Sequence, residues 1–190
     1  MEAREEAGGV ENISRLREDV ARKLVKHAYL VGDFVLSSGR RSKTYFDKYL
    51  FETKPDILRP LAKLLASLIP VETDRIAGPE LGAVALATAA SLESGIPFVI
   101  VKKAAKDYAT QKYIEGEIHP GEKVVVIEDV MTTGTQAIIS AKKLRDMGAE
   151  VLFILGVVDR EEGARENVEA EGFQFKALFT RSELESYLDK

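Results

Sequence analysis

Residues 151–158, Val-Leu-Phe-Ile-Leu-Gly-Val-Val, form an unbroken run of eight apolar or glycine positions. A strand with one face in water alternates polar and apolar residues. A run with no polar position needs cover on both faces, the situation of a central strand in a parallel sheet flanked by helices. The rest of the chain supplies the neighbours. Residues 75–77, 98–101, 124–127 and 173–179 read as further strands. Residues 83–94, ended by Gly95, 136–147, closed by Gly148, and 182–188 read as helices. Strands alternating with helical patterns are the signature of βαβ units.

The first third is different. Ile13, Leu16, Val20 and Leu24 recur at helical spacing, so 13–28 reads as an amphipathic helix after a loose tail at 1–11. Phe34-Val35-Leu36 and Thr44-Tyr45-Phe46 flank a polar centre, Ser37 to Ser42, as in a hairpin. Leu58, Leu61, Leu65 and Leu68 mark a second helix with Pro60 in its first turn. The expectation is one domain, with N-terminal helices and the hairpin over about 12–70 and an α/β core over about 71–190.

Composition removes several classes of function. Twenty-seven basic and 31 acidic residues leave a net charge of −4, so no global field draws the chain to nucleic acid or an anionic membrane. There is no cysteine and there are only two histidines, which leaves oxygen ligands for any metal. His27 and His119 read as structural or solvent-facing. The longest apolar candidate, 81–92, falls well short of the ~20 residues of a membrane span. The charged stretch 1–11 lacks the apolar core of a secretion signal, so the cytoplasm is the expected location.

The polar clusters follow predicted strands, where an open parallel sheet collects ligands. The most informative is Val124-Val125-Val126-Ile127-Glu128-Asp129-Val130-Met131-Thr132-Thr133-Gly134-Thr135-Gln136. A buried strand runs into two acids, then a hydroxyl-rich turn, then a helix. Backbone N–H groups and hydroxyls of 132–135 can receive a phosphate at the helix N-terminus, with Gly134 permitting close approach. Glu128 and Asp129 can accept hydrogen bonds from vicinal sugar hydroxyls or lie near a hydrated Mg²⁺. A capped helix beside two solvated acids is the simpler alternative. Neither a Walker loop nor a dinucleotide fingerprint is present.

This window resembles the phosphoribosyl pyrophosphate (PRPP) loop of the type I phosphoribosyltransferases. Four further segments, in family order, are similar to those of the orotate phosphoribosyltransferases. Ser38-Gly39-Arg40-Arg41-Ser42 before Tyr45-Phe46 resembles their substrate-covering motif, and Gly78-Pro79-Glu80-Leu81-Gly82 their pyrophosphate-side loop. Lys102-Lys103-Ala104-Ala105-Lys106-Asp107-Tyr108 resembles their mobile catalytic loop, and Val158-Asp159-Arg160-Glu161-Glu162-Gly163 their orotate-binding turn.

The resemblance implies the type I phosphoribosyltransferase fold, a central, mostly parallel sheet flanked by helices with a small N-terminal hood. It implies transfer of a ribosyl 5-phosphate from PRPP to orotate, giving orotidine 5′-monophosphate and pyrophosphate in pyrimidine synthesis. Lys106, Lys103 and Asp129 become the catalytic residues. PRPP falls to Lys102, Lys103, Lys106, Tyr108 and the stretch from Glu128 through Val130, Met131, Thr132, Thr133, Gly134 and Thr135 to Gln136. Orotate falls to Thr132, Arg160, Tyr45 and Phe46, and pyrophosphate to Glu80, Leu81 and Gly82. Mg²⁺ would be held mainly by PRPP and water, with no protein metal site. A loop lysine, Lys103 by alignment, would reach across a homodimer with shared active sites.

From the residues alone, the lysines can be a solvated basic run, Arg160 a surface ion pair with Glu161 or Glu162, and the two aromatics ordinary packing. The chain departs from the family in having Tyr108 where a histidine is usual, Ala109-Thr110-Gln111-Lys112 where glycines are usual, and Ser37 where many relatives have lysine. A purine or uracil phosphoribosyltransferase, or a non-catalytic PRPP-sensing regulator, are the competing readings.

Overall fold

A computed structural model of the chain describes residues 2–35, 39, 41–103 and 113–188, with backbone alone for 2–11. Helix α1 (Glu2–Ala28) leads into strands β1 (Tyr29–Val35) and β2 (Arg41–Phe46), a single turn α2 (Tyr49–Glu52) and helix α3 (Pro55–Leu68). Strand β3 (Arg75–Pro79), helix α4 (Gly82–Ser94) and strands β4 (Phe98–Val101) and β5 (Ile114–Glu115) follow. Then come β6 (Lys123–Met131), α5 (Thr135–Asp146), β7 (Glu150–Asp159), α6 (Ala164–Ala170), β8 (Phe175–Thr180) and α7 (Arg181–Glu185).

β1 and β2 form an antiparallel hairpin, and the other six strands form one sheet in the order β5-β4-β3-β6-β7-β8. All pairings in that sheet are parallel except β4 with the short edge strand β5. The fold is therefore α/β with a central, mostly parallel sheet and a small hood, as the alternation of runs predicts.

Successive side chains of β6 are divided between two cores, as the period of a strand requires. Val125 and Ile127 join Leu24, Leu61, Leu65 and Leu86 from α1, α3 and α4. Val124 and Val126 join Ala141 and Leu144 of α5 and Val168 of α6. All four valine and isoleucine side chains are fully buried, which is why the run has no polar alternation. The N-terminal helix is tied to the C-terminal end through Arg17, which donates to Leu178 O at 2.6 Å and Glu183 Oε2 at 2.8 Å. Its guanidinium also lies over the Phe179 ring.

Several elements differ from the sequence expectation. Helix α1 begins at Glu2 rather than near residue 13. Residues 2–7, Glu-Ala-Arg-Glu-Glu-Ala, have high helical propensity and place acids at the positive end of the helix dipole, a signal that apolar periodicity does not register. Pro60 lies inside α3 and not in its first turn, which Pro55 occupies. The N–H missing at Pro60 leaves Asp56 O without its helical partner, and Lys23 Nζ of α1 donates to that oxygen at 3.2 Å. Strand β6 extends to Met131, so Glu128 and Asp129 belong to the strand itself. The extension is held by register with β7, which pairs Glu128 with Gly156 and Met131 with Asp159. The sequence reading lacks α2, β5 and α6, which bury too few apolar residues to show a period; in α6 only Ala164 and Val168 are buried. Among the described residues no helix is long and apolar enough to cross a membrane.

The short α2 is anchored by Phe51, which is completely buried between the hood and the helices of the first core. Phe51→Ala should cost about 3–5 kcal/mol in urea unfolding, the usual effect of emptying an aromatic core position. It should also weaken PRPP binding, because α2 and the residue before it carry two charged groups of the site below.

Candidate active site

β3 has β4 on one side and β6 on the other, both parallel to it. The chain leaves β3 in one direction and later returns on its opposite side, and at such a reversal the connections after the two strands separate and open a crevice. On one wall is the turn Glu80-Leu81-Gly82, with a cis Glu80–Leu81 peptide. On the other is the end of β6. The two walls meet closely, since a Cβ built on Gly82 would lie 1.9 Å from Asp129 Oδ2 and 2.6 Å from Lys48 Nζ. Any side chain there would displace the Asp129–Lys48 pair.

Asp129 continues the side-chain parity of Val125 and Ile127 along β6, and is 3% exposed. Lys48 Nζ donates to its Oδ2 at 2.7 Å, and the Val130 N–H donates to its Oδ1. The Asp129 N–H donates to Glu128 Oε1 at 3.2 Å. Glu52, one helical turn after Lys48, is also buried, and its Oε1 has no hydrogen-bond partner. Burial, then the neighbouring Asp129, pushes the Glu52 carboxyl up to about 8. Burial and Asp129 do the same to Glu128, also to about 8, against the opposing effect of the Asp129 N–H and Lys48. Burial alone would lower the Lys48 ammonium, but Asp129, Glu128 and Glu52 together outweigh it and hold it above its ordinary value. Near neutral pH the cluster is one ion pair, Lys48 with Asp129, beside two protonated carboxyls.

Beyond Met131 the chain turns through Thr132 and Thr133 to Gly134, whose φ of 75° begins helix α5 without a side-chain cap. A side chain at Gly134 would be strained by that φ and would crowd Met131 Cε and Val168 Cγ2, each at 3.2 Å. The first-turn N–H groups of α5 have no capping side chain, and they are what a phosphate takes up. Thr133, Thr135 and Gln136 are exposed at this turn. Thr133 Oγ1 lies 2.9 Å from Thr135 Oγ1, and Asn167 Nδ2 braces the turn by donating to Thr133 O at 2.9 Å. Met131 itself is core, and its carbonyl accepts from the Arg160 N–H at 2.8 Å. Of Val130 and Met131, the latter can therefore offer a ligand little beyond backbone.

Arg160 follows β7 and is 3% exposed. Its Nε sits 3.0 Å from Glu162 Oε1, an ion-pair contact without hydrogen-bond geometry. The pairing with Glu162 anticipated from sequence exists, but it is buried and not a surface pair. Glu161 holds the turn by accepting from Ser182 N–H and Oγ at 2.9 and 2.6 Å.

Lys102 has a partner within the sheet. It is 8% exposed, and its Nζ pairs with Glu115 Oε1 at 2.8 Å beside β4 and β5. Lys103 is exposed, and its N–H donates to Glu80 Oε1 at 2.6 Å. Lys143 of α5 donates to the carbonyls of Lys102 and Lys103 at 2.7 and 3.0 Å, a brace the sequence did not reveal. Lys106, Tyr108, the rest of 104–112, and Ser37 lie outside the described residues. Phe46 is core, edge-on to Tyr29 with ring centres 5.1 Å apart, which leaves Tyr45, 37% exposed and against Phe34, as the hood aromatic open to a base. His27 is half-buried in the last turn of α1 and His119 is exposed.

The chain is 51% identical over 156 residues to the orotate phosphoribosyltransferase of Methanocella arvoryzae, covering 82% of this chain and 89% of that protein. It is 44% identical over 173 residues to that of Pyrococcus abyssi, with coverage of 89% and 95%. It belongs to the orotate phosphoribosyltransferases. The crystal structure of the orotate phosphoribosyltransferase from Aeropyrum pernix superposes with a TM-score of 0.80 at 32% identity, over 90% of this chain and 98% of that one. That of Mycobacterium tuberculosis in complex with PRPP superposes with a TM-score of 0.75 at 29% identity, over 90% and 99%. Adenine phosphoribosyltransferase from Leishmania tarentolae shares the fold alone, at 19% identity and a TM-score of 0.67. No family model matches the chain.

In this orotate phosphoribosyltransferase the residues sequence reasoning missed are Lys48 and Glu52, inside Asp47-Lys48-Tyr49-Leu50-Phe51-Glu52. They lie four apart, one helical turn, with Phe51 as the buried anchor. Glu52 and Glu128 keep protons up to about pH 8, whereas an unfolded chain releases them near its ordinary carboxyl value. The folded chain thus binds more protons between the two values, and stability falls as pH rises through that window. Glu52→Gln should make the fall of Tm between pH 5 and pH 8 shallower and raise Tm at pH 8, measured calorimetrically. Unchanged slopes would contradict this.

Proposed function

We propose that the chain transfers the ribosyl 5-phosphate of PRPP to orotate, giving orotidine 5′-monophosphate and pyrophosphate, a step of pyrimidine nucleotide formation. The observation that carries this reading is the sequence of three features along the carboxyl edge of β3 and β6: the Gly82 turn pressed against the buried Asp129, and beyond β6 the turn 132–135 with no side-chain cap. A sugar diphosphate with a second phosphate at its far end needs those three features in that order.

Departure of pyrophosphate leaves an oxocarbenium-like C1, so the site must receive negative charge on one side and exclude water on the other. Asp129, with Glu128 beside it, accepts the ribose hydroxyls, and 132–135 hold the 5-phosphate. Glu80, Leu81 and Gly82 face the pyrophosphate with Lys103, and the resemblance assigns Lys106 to the same group. The guanidinium of Arg160 meets Glu162 through Nε and presents its other N–H donors to the orotate carboxylate. Thr132 and Tyr45 complete the base site.

Among the described residues no group of three or more acidic or histidine side chains is placed to hold a metal, and the Asp129 oxygens already accept from Lys48 and Val130. We infer, as the resemblance implies, that magnesium arrives with PRPP and would be held mainly by the substrate and water, with Glu128 and Asp129 beside it. When bound it offsets charge on the pyrophosphate. We place the reaction in the cytoplasm, since a donor with so many charges does not cross a bilayer.

The assay is direct. Orotate absorbance should decline with PRPP and Mg²⁺, while uracil and hypoxanthine give no PRPP-dependent product. Turnover of either alternative base without orotate would overturn the assignment.

A homodimer is proposed from helix α4. Its inner side is core, yet its outer side continues apolar through Val84, Ala85 and Ala89 to Leu92, with Leu81 just ahead of it. Leu81 and Leu92 are 69% and 83% exposed. That face, interrupted by Thr88 and Glu93, still exposes enough apolar surface to need cover, which a second copy supplies, and the resemblance gives Lys103 the part of reaching the neighbour's site. Leu92→Asp should shift sedimentation from dimer to monomer and lower turnover at least tenfold.

A further inference from the structure

We propose that Lys48 is a positioning residue for the ribose-binding acid Asp129, holding it as a carboxylate, in one orientation, at the wall shared with the Gly82 turn. The inference rests on the orotate phosphoribosyltransferase reading and goes beyond it, because Lys48 lies in the hood rather than in any loop that resembles a family motif.

Three observations converge. The Lys48–Asp129 pair is 2.7 Å long, with the lysine side chain 32% exposed and the aspartate 5%, so water screens it poorly. The pair sits against the α4 N-terminus so closely that a methyl group at Gly82 would collide with both members. The groups around Asp129 are otherwise acidic or neutral. Glu128 precedes it on β6, and Glu52 is on α2 with an unpartnered oxygen. Asp47 lies beyond Glu52 in the hood. Without Lys48, a carboxylate at Asp129 would have no cation among these neighbours. For a carboxyl only 3% exposed, the cheapest response is for Asp129 to take a proton. A protonated Asp129 has lost an acceptor position needed for the ribose hydroxyls, so PRPP binding would fail at low pH and return as pH rises.

The test compares Lys48→Met, Lys48→Gln and Lys48→Arg with the unaltered enzyme, following kcat and the KM for PRPP from pH 5.5 to pH 8 with orotate and Mg²⁺. In the two neutral variants the acid limb of kcat/KM should move up by about one pH unit, the low end of what one adjacent charge does to a carboxyl, so the loss deepens steadily toward pH 5.5 and reaches roughly tenfold only where the pH lies below both limbs. The loss should sit mainly in KM and shrink toward pH 8, while Lys48→Arg keeps the limb in place. Calorimetric titration with PRPP and Mg²⁺ at pH 6 and pH 8 reads the same shift without turnover.

An equal loss at both pH values in a folded neutral variant, or an arginine variant that behaves like methionine, would overturn the proposal. If neither neutral variant folds, the lysine is structural and the proposal is rejected. Asp129→Asn separates the two readings. If its acid limb persists unchanged, the ribose role of Asp129 has failed, and activity of the unaltered enzyme on orotate decides the family reaction independently.

Discussion

The parallel pairing of β3 with β6 is the constraint on which the site depends. Those two strands are far apart in the chain, and their register, Arg75 with Val124 through Ala77 with Val126, decides what faces what at the carboxyl edge. There the ladder ends, β3 itself stops two residues later at Pro79, and the strands part. Gly82 can then approach Asp129 within contact distance while the turn 132–135 opens away from it. A shift of that register by one residue would turn Asp129 to the opposite face of the sheet. Both faces of β6 are filled with fully buried side chains, so the register is strongly specified, and the precision of the site is inherited from the core.

The same packing explains the electrostatics. The crevice is polar but its walls are core, and an acid placed on a central strand is largely withdrawn from water. Three carboxyls, Glu52, Glu128 and Asp129, share this space with a single described cation, Lys48. Glu52 and Glu128 hold protons near neutral pH, and Asp129 is paired with the lysine. The arrangement limits net charge in a site that must receive a highly anionic donor. The lysine comes from the hood, so the small N-terminal unit contributes to the charge balance of the core as well as covering it.

Cation assignment at the rim follows similar logic. Lys102 and Lys103 are neighbours in sequence, yet one faces Glu115 inside the β4–β5 edge and the other is exposed. Alternation along an extended chain sends them to opposite sides. Lys143 and Glu80 then fix the backbone between them through three hydrogen bonds, so the segment that follows starts from a defined point.

The α/β class, the order of the main strands and helices, and the acid, hydroxyl and arginine clusters at strand ends were all legible in the chain. Continuous apolar runs, helical spacing and glycine stops are local patterns, and local patterns survive without a structure. The extent of β6 and the short α2, β5 and α6 were not legible, because pairing partners and not composition hold them. Nor were the roles of Lys48, Glu52 and Lys102. Whether a lysine is free, paired or pressed against a carboxylate depends on which residues the fold brings within about 3 Å of it, and for Lys48 that residue is 81 positions away. Sequence set the chemistry available to this orotate phosphoribosyltransferase. Long-range packing decided which charges meet, because the energy of a buried charge depends on its neighbours in space.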